Sequence, residues 1–323
     1  MNSAPRIALA CVVCGAAAGA SVAPAQNFPV KPIRIVTAEP GGGIDMLGRL
    51  IAQYAAPSLG QQMLVINRGA DGGVEAAMTV AKSPADGYTL LLYGSVMWTQ
   101  PFLRANLPYD PVRDFAPITA AVVSINALVV NPALPVRSVK ELVALAKARP
   151  GELNYASGPS GTTSHLAAEL LKSMTRTNLV RVNYRGNAPA ITDVISGQVQ
   201  LMFPTTALSV PHVKSGRLRA LAVTSAAPTN LFPGLPTVAA SGIPGYESVT
   251  LSAAFAPVDT PASIISRLNQ EMVRALNLAD VKATLLNAGV EVVGSTPEEL
   301  AARLKSEMAK WGKVIRDAGV RAE

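Results

Sequence analysis

Two glycine-rich turns contain the residues of this sequence best suited to hold an anion. They span 39–45 and 157–165, and each follows a short apolar run and opens an amphipathic helix. A strand that turns through glycines into a helix leaves unpaired N–H groups and the positive end of the helix dipole at its exit, which suits a carboxylate or a phosphate. If the two turns face each other, they form an anion clamp. The candidate ligand-binding residues in them are Pro40, Gly41, Gly42, Gly43 and Asp45, and Ser157, Ser160, Gly161, Thr162, Thr163 and His165.

Three side chains at such turns have alternative roles. Asp45 stands at the start of the first helix, where it either caps that helix or accepts hydrogen bonds from the ligand. His165 either contacts the ligand or fixes the second turn through a hydrogen bond to the backbone. A third strand-to-helix turn contains Tyr184, Arg185 and Gly186. Arg185 is either a charged partner for a carboxylate or a solvated surface charge.

The residue types needed for other chemistry are scarce. The histidines are His165 and His212, and neither has the spacing of a metal site. Ser160 misses the Gly-x-Ser-x-Gly nucleophile elbow by one residue. The turn at 157–165 lacks a phosphate-binding lysine, and the glycines at 41–43 lack the third glycine of the dinucleotide fingerprint. We therefore predict that the protein is not an enzyme and that it uses no metal or cofactor.

The first twenty-five residues have the features of an export signal. One positive charge, Arg6, precedes an apolar stretch over 7–22, and Ala23-Pro24-Ala25 has the small-x-small pattern of a signal peptidase site. We predict cleavage near Ala25 and a periplasmic protein, and the alternative is a retained membrane anchor. Cys11 and Cys14 both lie in this leader, so the mature chain has no cysteine and depends on its apolar core.

The charge pattern indicates the kind of partner. The net charge is +7, from 28 Lys and Arg residues against 21 Asp and Glu residues. The basic residues are scattered through helices with interleaved acids and form no basic run. This distribution argues against nucleic acid and favours a mild positive field that attracts small anions.

Strand and helix patterns alternate along the chain, which predicts an α/β protein with largely parallel sheets. The predicted strands are 33–37, 63–66, 89–93, 153–157, 180–184, 199–203 and 220–224. The predicted helices are 46–54, 74–81, 139–148, 166–173, 188–196, 262–277, 279–287 and 297–318. In open sheets of this kind, ligands bind beyond the carboxyl ends of the strands. The glycine-bearing loops lie at such ends.

Two long extended runs, 118–130 and 249–256, are candidates for crossings between two lobes. We predict that lobe 1 comprises 27–126 plus 250–323, that lobe 2 comprises 127–249, and that the two crossover strands form a hinge. The alternative is one large α/β domain with a long loop at 228–246, a segment dense in Pro and Gly.

An ordered set of motifs resembles the Bug family of extracytoplasmic solute receptors, which serve tripartite tricarboxylate transporters. The motifs are Lys31-Pro32-Ile33-Arg34-Ile35-Val36, Pro40-Gly41-Gly42, Asp45, Asn67-Arg68, Pro84-Ala85-Asp86-Gly87-Tyr88, Leu107-Pro108-Tyr109-Asp110-Pro111, Asp114-Phe115-Ala116-Pro117, Gly161-Thr162-x-Ser164-His165, Gly216-x-Leu218-Arg219-Ala220-Leu221-Ala222 and Leu235-Pro236-Thr237-Val238. The resemblance covers essentially the whole mature chain. It implies a two-lobed periplasmic binding protein fold of type II, a Venus flytrap that closes on a small carboxylate held largely by backbone groups and ordered water.

The resemblance also implies which loops contact the ligand. They fall on 40–45, 69–73, 94–96, 157–165, 184–187 and 203–206, which adds Ala70, Gly72, Ser95, Tyr184, Arg185, Gly186 and Thr205 to the candidate ligand-binding residues. Two positions depart from the family pattern. Glu39 adds an acid near the first turn, which disfavours a second ligand carboxylate unless the side chain points away or pairs with a cation, and Pro204 replaces a frequent Asp. Ligand identity therefore does not carry over from relatives.

The function predicted from these features is capture of a small organic acid or related polar ligand by a monomeric periplasmic receptor. The receptor then delivers it to the membrane permease subunits of a tripartite tricarboxylate-type transporter. One alternative is the same fold and ligand feeding a membrane sensor kinase, for signalling rather than uptake. Another alternative is an exported hydrolase that uses Ser160.

Overall fold

The computed structural model of the chain describes residues 28–37 and 40–321. The predicted leader, 1–25, and Glu39 lie outside the described residues. Within the described ranges, no helix combines the length and the apolar character needed to cross a membrane.

The N-terminal third of the described chain alternates strands and helices. It contains β1 (Ile33–Thr37), α1 (Gly43–Leu59), β2 (Met63–Asn67), α2 (Val74–Ala81), β3 (Thr89–Gly94), α3 (Val96–Leu103) and β4 (Phe115–Ile125). β1 pairs in parallel with β2 and β3, so the loops after these strands emerge at one edge. Strand β3 is buried along its whole length because helices cover both faces of the sheet.

The middle of the chain repeats this alternation. It contains β5 (Ala127–Val130), α4 (Val139–Ala148), β6 (Asn154–Ser157), α5 (Thr163–Thr175), β7 (Val180–Asn183), α6 (Asn187–Ser196), β8 (Leu201–Met202), α7 (Thr206–Lys214) and β9 (Arg219–Val223). β6 pairs in parallel with β7 and β8, and β5 pairs antiparallel with β8 and β9.

The chain ends with β10 (Val249–Pro257), α8 (Ala262–Leu276), α9 (Ala279–Asn287), β11 (Val290–Val292) and α10 (Pro297–Asp317). The last helix begins with a capping box, in which the Thr296 hydroxyl accepts from the Glu299 N–H and the Glu299 carboxylate accepts from the Thr296 N–H.

The described strands form two sheets, and each sheet with its helices makes one lobe. Lobe 1 has the order β11-β4-β10-β3-β1-β2, and lobe 2 has the order β7-β6-β8-β5-β9. The predicted extended run 118–130 divides between the sheets, with β4 in lobe 1 and β5 in lobe 2. Strand β10 then returns the chain from lobe 2 to lobe 1. The predicted two-lobed α/β fold is confirmed, but the sheets are mixed rather than largely parallel, because the crossing strands β4, β5 and β10 pair antiparallel with their neighbours.

Asn126 ties the two crossings together. It lies between β4 and β5, where its N–H donates to Thr224 Oγ1 at 3.0 Å and its side-chain amide donates to the Phe203 carbonyl at 2.8 Å. The Thr224 N–H donates to the Asn126 carbonyl, and the Ser248 N–H donates to the Thr224 carbonyl, both at 2.9 Å. Because Thr224 follows β9 and Ser248 precedes β10, this network joins the outgoing and returning chains at the hinge.

Helix α10 packs into both lobes. Leu300 and Leu304 belong to the apolar core beside β3 and β10 of lobe 1, whereas Trp311, Val314 and Ile315 belong to the core of lobe 2. The lobes are therefore connected by a helix as well as by the two crossings. The predicted boundary that assigns 250–323 to lobe 1 stays a prediction.

Most predicted elements are confirmed, and three observed elements have no counterpart in the predictions. Helices α3 and α7 contain Pro101 and Pro211, and α3 is apolar on nearly all sides, so neither shows the usual amphipathic helical pattern. Strand β11 has three residues, too few for a period of two to be recognised.

Candidate functional site: a cleft between the lobes

A cavity of about 410 Å³ lies between the two lobes. Strands β1 and β3 of lobe 1 and β6 and β7 of lobe 2 point their carboxyl ends toward it, as expected for a ligand site in parallel sheets. None of its lining side chains carries a formal charge. The lining residues are Ile44, Gly94, Ser95, Val96, Thr99, Leu103, Ser160, Gly161, Thr162, Thr163, Leu166, Asn187, Ser248, Val249, Thr250 and Trp311.

Four helices begin at this cavity. Ile44 of α1, Val96 of α3, Thr163 of α5 and Asn187 of α6 each lie in the first two residues of their helix and line the cavity. The N–H groups of a first helical turn have no helical partner, and the helix dipole places positive potential there. The cavity is therefore suited to an anion even though no lysine or arginine lines it.

Asp45 fixes the first glycine turn from inside. The side chain is buried, and its carboxylate accepts hydrogen bonds from the Gly41 N–H at 3.0 Å, from Asn67 Nδ2 at 2.8 Å, and from Arg49 Nε and Nη2 at 3.0 and 3.1 Å. The hydrogen bonds from Arg49, Asn67 and Gly41 lower the pKa of Asp45 to about 2. The carboxylate is thus charged and bound by protein donors around the turn, although no N–H of α1 receives a side-chain cap.

Only the helical end of the first turn reaches the cavity. Ile44 lines it, whereas Pro40 to Gly43 and Asp45 do not. Gly41 has a φ of 81°, which an L-amino acid rarely adopts, so this glycine has a conformational role in the turn. Contact between residues 40–43 or Asp45 and a ligand stays a prediction.

Arg181 holds the second glycine turn, and sequence reasoning did not select it. From β7, its guanidinium donates to Ser157 Oγ at 2.8 Å, to the Gly158 carbonyl at 2.8 Å and to Ser160 Oγ at 3.0 Å. Hydrogen bonds from a charged donor are stronger than neutral ones. Arg181 therefore fixes the loop that presents Ser160, Gly161, Thr162 and Thr163 to the cavity.

His165 also stabilises this turn. Its ring is 3% exposed, and Nδ1 accepts a hydrogen bond from the Gly161 N–H at 3.2 Å. Burial and the nearby Arg181 guanidinium lower the pKa of His165 to about 4. The ring is thus neutral at pH 7, with its proton on Nε2, and it fixes the backbone as one of the two alternatives expects. His165 does not line the cavity.

The third turn has a different role for each residue. The Tyr184 hydroxyl donates to Asp193 Oδ2 at 2.7 Å, and burial together with this bond raises the pKa of Tyr184 to about 12. Arg185 is exposed, and Gly186 precedes α6 as its N-cap. None of the three lines the cavity. The next residue, Asn187, does. The Asn187 Oδ1 atom accepts from the Ser164 hydroxyl at 3.1 Å, which joins the second and third turns.

Ser95 lies where β3 meets the returning crossing. Its hydroxyl donates to the Leu251 carbonyl at 3.2 Å and accepts from the Leu251 N–H at 2.9 Å, so it connects the start of α3 to β10. The side chain is buried and lines the cavity beside Val96 and Thr99. These two hydrogen bonds attach this wall of the cavity to the returning strand.

Four further predicted residues lie outside the cavity lining. Ala70 and Gly72 belong to a short 3₁₀ turn after β2, and the Gly72 carbonyl accepts from Gln100 Nε2 at 2.8 Å. Thr205 is the N-cap residue of α7, and its carbonyl accepts from Leu208 and Ser209 N–H groups. Ser157 contacts Arg181 behind the second turn. The ligand contacts predicted for these residues stay predictions.

Five predicted residues therefore line one cavity: Ser95, Ser160, Gly161, Thr162 and Thr163. The apolar wall was missed by sequence reasoning, because Leu103 and Trp311 come from α3 and α10, far from any glycine turn. A Cβ atom added to Gly161 would lie 2.9 Å from Leu103 Cδ1, so lobe 1 packs closely against the second turn. Trp311 is held by a hydrogen bond of 2.7 Å from its Nε1 to the buried Glu307 carboxylate.

A cleft between two α/β lobes, joined by extended crossings and lined by helix N-termini and hydroxyls, defines a two-lobed solute-binding protein. Residues 47–320 match the model of the tripartite tricarboxylate transporter family receptor, and the chain belongs to that family. The protein BugT of Bordetella pertussis is 33% identical over 327 residues, which cover 99% of each chain. A UPF0065 protein from the tcbD-tcbE intergenic region of Pseudomonas sp. strain P51 is 37% identical over 89% of this chain and 86% of the relative. The resemblance to the Bug family is confirmed.

Solved structures show the same fold. Rpa4515 of R. palustris with adipate is 35% identical, with a TM-score of 0.72 over 92% of this chain and 100% of that chain. MatC from Rhodopseudomonas palustris with bound malate is 28% identical, with a TM-score of 0.69 over 89% of this chain and 100% of that chain. A TctC solute-binding protein from Polaromonas with no ligand is 25% identical, with a TM-score of 0.83 over 90% of this chain and 99% of that chain.

Proposed function

We propose that the protein captures a small carboxylate in the cleft between its lobes and delivers it to the permease of a tripartite tricarboxylate-type transporter. It does so in the periplasm, after removal of the leader near Ala25, and as a monomer without catalysis. Membership of a transporter receptor family supports delivery to a permease rather than to a sensor kinase.

The observation that carries this proposal is the meeting of four helix N-termini at one uncharged cavity. Unpaired N–H groups there, with the hydroxyls of Ser160 and Thr163, are donors for a carboxylate. Donors from both lobes reach the ligand together only when the cleft is closed. Closure also removes water, which strengthens each of these hydrogen bonds.

The apolar wall and the structural relatives support the ligand class. Ile44, Leu103, Leu166 and Trp311 offer a surface for the hydrocarbon part of an organic acid. Two relatives hold adipate and malate, both carboxylates.

Thermal unfolding in the presence of a panel of organic acids, adipate and malate included, tests capture. A ligand that binds only the folded state stabilises it by about 2.7 kcal/mol at one hundred times its Kd. We expect a clear rise in Tm with at least one acid and none with the corresponding amide. Absence of a shift across aliphatic, aromatic and amino acid carboxylates would contradict capture.

A proline substitution tests whether backbone N–H groups hold the carboxylate. Thr163 is the first residue of α5, where proline is well tolerated, and Thr162 before it has an extended ψ of 159°. Thr163→Pro removes one cleft N–H together with the Thr163 hydroxyl, and Thr163→Ala, which removes only the hydroxyl, is its reference. Relative to Thr163→Ala, the loss of one charge-assisted hydrogen bond of about 1.5–3 kcal/mol weakens binding about tenfold or more. Ala279→Pro at the exposed first residue of α9 controls for the introduction of a proline, with unchanged affinity expected. Equal affinities of Thr163→Pro and Thr163→Ala for the acid identified above would refute the backbone clamp.

A further inference from the structure

A second cavity lies on the outer face of lobe 2, away from the cleft. Its volume is about 570 Å³, and it lies between helix α4, the C-terminal end of α5 and the loop 241–244. Helix α5 begins at the cleft with Thr163 and ends at this cavity with Thr175. Thirteen residues of helix span about 20 Å, so the two cavities are separate sites at opposite ends of one helix. We call this second cavity the outer groove.

One face of α4 forms a wall of the outer groove with a cation at each end. Lys140, Val143, Ala144 and Lys147 follow the i, i+3, i+4, i+7 spacing of a single helical face, and all four line the groove. The two lysines lie two helical turns apart, about 10 Å along the axis. Between them the surface is apolar, and it faces Ile243 across the groove.

Arg176 supplies a third cation from the opposite side. It is the C-cap residue of α5 and has φ 54° and ψ 40°, the left-handed conformation that usually requires glycine. It is the one non-glycine residue with positive φ among the described residues, and its side chain is exposed at the groove. This conformation ends α5, and the Arg176 side chain lines the groove.

The three cations of the groove have no acidic partner within the described part of the chain. Lys140, Lys147 and Arg176 take part in none of its ion pairs, whereas Lys172, near the same end of α5, pairs with Glu169 at 2.7 Å. Met174 is 39% exposed and adds an apolar side chain at the rim of the groove. Unpaired cations around an apolar strip are complementary to a segment that carries acids on either side of an apolar residue.

We propose that the outer groove is the docking site for an acidic, apolar-centred segment of the membrane partner. This proposal rests on the proposed delivery function. The spacing favours a protein segment over a single small anion, because a separation of about 10 Å is too wide for one carboxylate and matches two acids seven residues apart on one face of a helix, with an apolar residue between them on that face. The apolar side chain between those acids then packs on Val143 and Ile243. Docking at lobe 2 leaves the cleft open for ligand release.

Photocrosslinking in cells tests this proposal. A benzophenone amino acid replaces Ala144 in the groove, and a matched variant carries it at Ala309, an exposed position on α10. We expect adducts at Ala144 that contain an acidic segment of an integral membrane protein, with at least a fivefold lower yield at Ala309. In a Lys140→Glu, Lys147→Glu background we expect the Ala144 adduct to fall at least fivefold, whereas Lys82→Glu, Lys305→Glu, with the same change in net charge, leaves it unchanged. Both control lysines are exposed and lie outside the groove.

Several results would overturn the docking proposal. They are equal adduct yields at Ala144 and Ala309, an adduct insensitive to the Lys140 and Lys147 reversals, a crosslinked segment without acids, or adducts to lipid. Carboxylate affinity measured by calorimetry on Lys140→Glu, Lys147→Glu separates the two proposals. If affinity and uptake both match wild type, docking at the groove is wrong while capture stands. If no acid binds the wild-type protein at all, capture is wrong whatever the crosslinking result.

Discussion

Protonation of His165 is expected to destabilise the protein in mild acid. The ring is buried and neutral, with a pKa lowered from 6.5 to about 4. Between these two values the unfolded chain binds a proton at this residue and the folded chain does not, so the free energy of unfolding falls as the pH falls. At about 1.4 kcal/mol per pH unit, the difference in pKa corresponds to a loss of about 3 kcal/mol between pH 6.5 and pH 4. Above pH 6.5 this contribution is constant.

Urea unfolding curves of the wild type and His165→Gln, recorded from about pH 7.5 to about pH 4.5, measure this loss. Gln keeps an acceptor for the Gly161 N–H but does not titrate, so we expect similar stability at neutral pH and a flatter decline in acid for the variant. Ionisation of carboxyl groups contributes to both proteins and cancels in the difference.

His212→Gln is the control, because burial and Arg217 also lower the pKa of His212, although that ring is less buried than His165. We expect only a small flattening for His212→Gln. Parallel declines of the wild type and His165→Gln would refute the assignment of His165 as a neutral ring that holds the second turn.

Three more substitutions test the description of the turns. Asp45→Asn is expected to lower the free energy of unfolding by about 1–2 kcal/mol at pH 7, which is less than the Asp45 pKa of about 2 implies, because its partner Arg49 is 58% exposed. Because the Asp45 pKa is lowered, the greater stability of the wild type is present above about pH 4 and is lost as the pH falls toward 2, which urea unfolding measures. Arg181→Met removes the guanidinium that fixes the second turn, and we expect carboxylate binding measured by calorimetry to weaken at least tenfold. An affinity equal to wild type would show that Arg181 is not needed to position the turn for binding. Gly73→Ala is expected to lower the free energy of unfolding by more than about 2 kcal/mol in thermal unfolding, because its Cβ would lie 2.1 Å from Tyr93 Cζ at a φ of 94°. Gly60→Ala is the control: its φ is 69° and no atom lies within 4 Å of its Cβ, so we expect a loss of only about 1 kcal/mol.

The sequence predicts those parts of the fold that depend on local periodicity. Helices α2, α4 and α9 begin and end where the pattern of apolar residues places them, and the extended run 118–130 does cross between the sheets. Helix α3 escapes this reasoning, because its packing between the lobes offsets the lost hydrogen bond at Pro101.

The site residues whose position follows from the order of strand and helix along the chain were predicted. Those whose position depends on packing between distant elements were missed. Ser160 to Thr163 follow a strand and precede a helix, which is enough to place them at a sheet edge. Arg181 lies within a strand, and its role depends on the parallel pairing of β6 and β7, which sets Arg181 opposite Tyr155 beside Ser157. Trp311 reaches the cleft because α10 crosses from one core to the other, a long-range arrangement that no local pattern encodes.

Helix α10 restricts how the cleft can open and shut. Two crossing strands alone would allow the lobes to rotate about many axes. Helix α10 is anchored in lobe 1 by Leu300 and in lobe 2 by Ile315, so it resists every rotation of the lobes that would bend it. Trp311 lies on this helix and on the wall of the cleft, so the element that couples the lobes also supplies part of the ligand surface. A substitution that loosens α10 would therefore alter the shape of the cleft without touching any of the glycine turns.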